Sequence, residues 1–242
     1  KFEISRLVNI RKQVVNALKD NKYYTKDDSK FSCQVCVDWN EFNKLYFSKR
    51  NSVIQSLGYA NKCDSGYNTI SLYAAMKMAF DLKQVHIVTN YNHFSHRFNE
   101  FYNAIVPNKN ISGWKGRLDS FSYMSSHPPF DTICNCDEIV MIPDAFSSVS
   151  HGTLNFIDAI LMKLASPKYR DVKFTILTHD IKEKHDDSEV LYTGLKERFP
   201  NFLYFDYTNE KKFVDDWFDG NDTLIDPEFD IKVLDPTLDK RQ

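Results

Sequence analysis

The chain has 242 residues, 42% of them hydrophobic, 26% charged and 14% aromatic, with a formal charge of −2 at neutral pH. That length and balance suit one large domain with a proper core, to which 19 Phe and 13 Tyr contribute much of the volume. The near-zero charge excludes a global basic field for nucleic acid or an anionic membrane, and no apolar run approaches the roughly 20 residues that cross a bilayer. The first residue is Lys1 with no secretory signal nearby, which predicts a fragment of a longer intracellular protein, cytoplasmic or nuclear.

Apolar residues at Ile4, Leu7, Val8, Val15 and Leu18 have helical spacing, and residues 1–30 read as a helix and linker. The run "CQVCV", residues 33–37, reads as a strand. Residues 43–68 contain Gly58, Gly66 and several Asn, and read as a long loop or insertion with at most one helix. "TISLYAAMKMAF" predicts a helix with Leu72, Ala75, Met76 and Ala79 on one face, followed by the strand "VHIVT" at 85–89. "HFSHRFNEFYNAIV" is the clearest amphipathic helix, with Phe94, Phe98, Phe101, Tyr102 and Ile105 aligned. A turn-rich break over 107–117 precedes a short strand expected at 121–124.

"EIVMI" predicts a strand at 138–142, and "TLNFIDAILMKLA" a helix that Pro167 helps to stop. Another strand is expected at 173–178, a helix at 188–199 and a strand at 202–206. The last segments read as a helix in "EKKFVDDWF", an edge strand in "FDIKVL" and a C-terminal extension over 220–242. Strands alternate with helices, and several are continuous apolar runs, as when helices cover both faces of a sheet. The expectation is one three-layer, Rossmann-like α/β domain with a mainly parallel sheet of five or six strands, cored by Phe98, Phe101, Leu154, Ile157, Leu161 and Ile176.

Five cysteines, Cys33, Cys36, Cys63, Cys134 and Cys136, fall largely in strand-like stretches and read first as reduced thiols. A metal site built from C-Q-V-C and C-N-C has poor geometry, because Cys33 and Cys36 on an extended strand point to opposite faces.

In open parallel sheets, ligands bind beyond the carboxyl ends of the strands. Four expected strands end in aspartate: Asp38, Asp144, Asp180 and Asp206. Converging carboxylates could hold Mg²⁺ or Mn²⁺, polarise a phosphate and activate water. Aspartate at a strand end also caps free amides of the next turn or helix, with no ligand involved. "VCVDWNEF" resembles the first strand of the PIN/NYN nucleases, where an aspartate closes an apolar strand shortly before an asparagine. The acidic positions such nucleases place on later helices have no match here, so no residue roles carry over.

No GxGxxG, no GxxxxGK[ST] and no Gly-rich methyltransferase loop follows any expected strand, and the chain has only 7 Gly. Dinucleotide binding and P-loop hydrolysis are thereby disfavoured, since both need glycines where backbone meets phosphate. There is no GxSxG elbow, and Ser150 beside His151 does not make a dyad. His93 and His96 share a helical face without HExxH, while His179 and His185 flank the mixed-charge stretch "KEKHDDSE" that reads as a solvated loop. The expectation is a non-catalytic α/β domain that binds a protein partner within a larger intracellular assembly, with no cofactor. The alternative is a metal-dependent phosphodiesterase or nuclease using Asp38, Asp144, Asp180 and Asp206.

Overall fold

The structure, a computed structural model, describes residues 9, 10, 12–14, 16, 17, 39–48, 50–56, 66–80, 84–89, 92–106, 117–120, 129–143, 151–179 and 191–206. The helical residues between 9 and 17 form α1. The elements that follow are α2 (Trp39–Phe47), β1 (Ser52–Ser56), α3 (Gly66–Phe80), β2 (Val85–Thr89), α4 (Asn92–Ile105) and β3 (Arg117–Ser120). The remainder are α5 (Phe130–Ile133), β4 (Glu138–Ile142), α6 (His151–Leu164), β5 (Lys173–His179), α7 (Leu191–Arg198) and β6 (Leu203–Asp206).

The six strands make one sheet in the order β3-β2-β4-β5-β1-β6, and every registered pair is parallel. Side chains alternate between two cores. Ile54, Ile87, Val140 and Leu177 pack under α1 to α4, and Val53, Val88, Met141 and Ile176 pack under α5 to α7. This is the three-layer, Rossmann-like α/β fold that the alternation of elements predicts. Helices after leftward steps in the sheet (β1 to β2, β2 to β3) cover one face. Those after rightward steps (β3 to β4, β4 to β5, β5 to β6) cover the other, as one handedness of crossover requires. No helix among the described residues is long and apolar enough to cross a membrane.

Two segments differ from expectation. Residues 52–56, expected within a loop or insertion, form β1, an interior strand between β5 and β6. "SVIQS" has only two apolar residues, and buried Ser52 and Gln55 disguise it. The preceding α2 buries Phe42 and Leu45 one helical turn apart. Strand β3 is Arg117–Ser120, upstream of the expected 121–124, and its polar "RLDS" is tolerated on an edge strand that pairs only with β2 among the described strands. The expected strand at 33–37, the C-terminal helix, the strand in "FDIKVL" and the extension over 220–242 lie outside the described residues.

Helix α3 is buried on every side from Ile70 to Met78, where one apolar face was expected. It has the sheet beneath it and α2 and α4 beside it, so nearly the whole surface of "ISLYAAMKM" is taken from water. Phe98, Phe101, Ile157 and Ile176 are core residues as expected, whereas Leu154 and Leu161 pack against the core half-buried. Phe98→Ala and Ile157→Ala should each cost about 2–5 kcal/mol in urea unfolding, because each leaves a cavity. Leu161→Ala should cost clearly less than either, and equal losses at all three positions would contradict these packing depths.

Candidate functional site

The amino edge of the sheet is held by polar side chains. The Asn51 side-chain oxygen accepts from Phe174 N at 2.9 Å, and its carbonyl accepts from Leu203 N at 2.9 Å, joining the starts of β5 and β6 across β1. Asp137 accepts from Gln84 N at 2.8 Å through its side chain and from Lys173 N at 3.0 Å through its carbonyl. Between these pins lies a buried charge cluster. Glu138 takes Lys77 at 2.9 Å and Lys173 at 3.1 Å on separate carboxylate oxygens, and the Thr175 hydroxyl donates to it at 2.9 Å. Burial alone would push the Glu138 carboxyl up. Lys173 and Lys77 outweigh that, by charge and by hydrogen bond, and hold it at about 2.

Also on the amino edge, a pocket of about 370 Å³ opens between Gln84–His86 and Asp131–Cys136. His86 is buried behind it with Nδ1 donating to the Ile133 carbonyl at 3.0 Å. The Cys136 thiol lies 3.4 Å from the Ile133 carbonyl and 3.3 Å from that of Glu138. Burial raises the Cys134 thiol to about 11 and the Cys136 thiol to about 12, so both stay protonated at neutral pH. Cys33, Cys36 and Cys63 lie outside the described residues, and no group of three or more His, Cys, Asp or Glu suited to a metal occurs among the described ones.

The carboxyl edge is built differently. Strand β1 continues into α3 on one face, while its neighbour β5 continues into α7 on the other. Chains that part in this way leave a crevice beyond the strand ends. The same divergence occurs between β2, which leads to α4, and β4, which leads to α6.

At the carboxyl end of β1, Gln55 is in register with Thr178 on one side and with Asp206 on the other. Partners in register on parallel strands share a face and stand about 4.8 Å apart, so Thr178, Gln55 and Asp206 form one row. One layer below, Ile176, Val53 and Tyr204 form the matching apolar row in the core under α6 and α7. The sheet therefore turns from apolar to polar in a single step at its carboxyl edge.

Thr178 and Gln55 are each only 4% exposed, and Asp206 is exposed. The Thr178 hydroxyl donates to the Ile54 carbonyl at 3.4 Å, a weak bond. Among the described residues no hydrogen bond engages the Gln55 carboxamide. Tyr192 of α7 meets the Tyr204 ring edge-on at 5.6 Å, which brings an aromatic wall to the row. Burial raises the Tyr192 hydroxyl to about 12, and the Asp206 charge adds to the shift.

Of the four aspartates singled out in the sequence, Asp206 is described at the end of β6, while Asp38, Asp144 and Asp180 lie outside the described residues. Strand order still constrains them. Asp180 directly follows β5, two strands from β6, whereas the end of β4 is three strand spacings, roughly 14 Å, from Asp206. His151 and His179 are the first residue of α6 and the last of β5, and His93 and His96 fall in α4, with no side chain described for any of them. His185 lies outside the described residues. Gln55 escaped notice as a site residue because β1 was not read as a strand, and Thr178, at the end of the strand expected over 173–178, was passed over for the aspartate that follows. No protein-family model matches the chain, and no curated protein matches it in sequence.

The Glu138 cluster generates a test of its own. Glu138→Leu should cost about 3–5 kcal/mol, because two lysines lose the carboxylate they share. Replacing all three charges together (Lys77→Met, Glu138→Leu, Lys173→Met) should recover most of that loss. The folded carboxyl sits at about 2 against an ordinary value of 4.5. Its stabilisation is therefore fully present above 4.5 and lost as pH falls through the folded value. Urea unfolding from pH 7 to 2 should show this decline in the wild type and not in the triple variant.

Proposed function

We propose that the chain is a ligand-binding α/β domain that works at the carboxyl edge of β5, β1 and β6. The observation that carries this reading is the row of Thr178, Gln55 and Asp206, placed where the chain diverges to opposite faces of a parallel sheet. Mg²⁺ or Mn²⁺ is the cofactor that such an edge would take, with Asp206 and Asp180, the residue after β5 in sequence, as candidate ligands and other positions filled by water. Metal-dependent phosphodiester hydrolysis is the activity in which those carboxylates would serve, by polarising phosphate and activating water.

A non-catalytic domain that docks a protein partner has less to rest on. Among the described residues the large apolar side chain that stands exposed is Met162, at 78%, and a single residue is not a docking patch. Cys134 and Cys136 are free thiols, which suits a reducing, intracellular compartment.

Thermal melts with and without Mn²⁺ or Mg²⁺ test the metal. Binding confined to the folded state should add about 2.7 kcal/mol at a hundredfold excess over Kd. The double substitution Asp180→Asn with Asp206→Asn should remove that gain while leaving the fold intact. A melt indifferent to metal would overturn the metal, and a shift that survives the double substitution would overturn the location.

A further inference from the structure

We draw no further inference here: the strongest candidate, the amino-edge pocket between Gln84–His86 and Asp131–Cys136, selects no ligand, because His86, Cys136 and Asp131 are engaged within the chain and Gln84 and Asn135 are exposed to water.

Discussion

One carboxylate holds the amino edge together. Glu138, the first residue of β4, neutralises Lys77 from α3 and Lys173 from β5 at once. Lys77 extends the link to α2, reaching the Tyr46 carbonyl at 3.4 Å and lying 5.2 Å from the centre of its ring. The Tyr46 hydroxyl in turn donates to the Phe80 carbonyl at 2.7 Å, at the end of α3. Two helices and two strands thus depend on charges that would be costly to leave apart in a dry interior. A cluster of this kind gives little net stability over an apolar replacement. What it does is exclude alternatives: a slip of β4 against β5 by one residue would turn Glu138 to the other face, away from both lysines.

At the amino edge of the sheet Asn51 and Asp137 cap strand starts, and Glu138 answers two lysines and a threonine. The buried Ser52 hydroxyl at the start of β1, by contrast, has no hydrogen-bond partner among the described residues. At the carboxyl edge of β1 the Gln55 side chain makes no hydrogen bond among the described residues. The surface ion pair between Asp131 and Lys163, at 2.9 Å, belongs to neither pattern, because Asp131 is largely in water and the pair is screened.

Much of the fold was legible in the sequence because its periodicities are strong. "VHIVT", "EIVMI" and "KFTILTH" are apolar enough to declare strands buried on both faces, and Phe98 and Phe101 mark the inner face of α4. Strand β1 was not legible. Its Ser52 and Gln55 are polar, its two apolar residues are adjacent, and the glycines at 58 and 66 suggest a loop. Burial at such a position is conferred by β5 and β6 on either side, which no local window contains. The site suffered with it: the aspartates could be read from strand ends, whereas Gln55 and Thr178 acquire meaning only through their register.

The position of β1 also sets where the connections of neighbouring strands diverge. Leaving β1, the chain passes over β5 and β4 before returning as β2, and the connection from β5 passes over β1 to reach β6. Two crossovers therefore leave neighbouring strands in opposite directions. Along one face of β1 the change from apolar Val53 to polar Gln55 happens in one pleat. Strand order, not any motif of the chain, sets the place where the connections part.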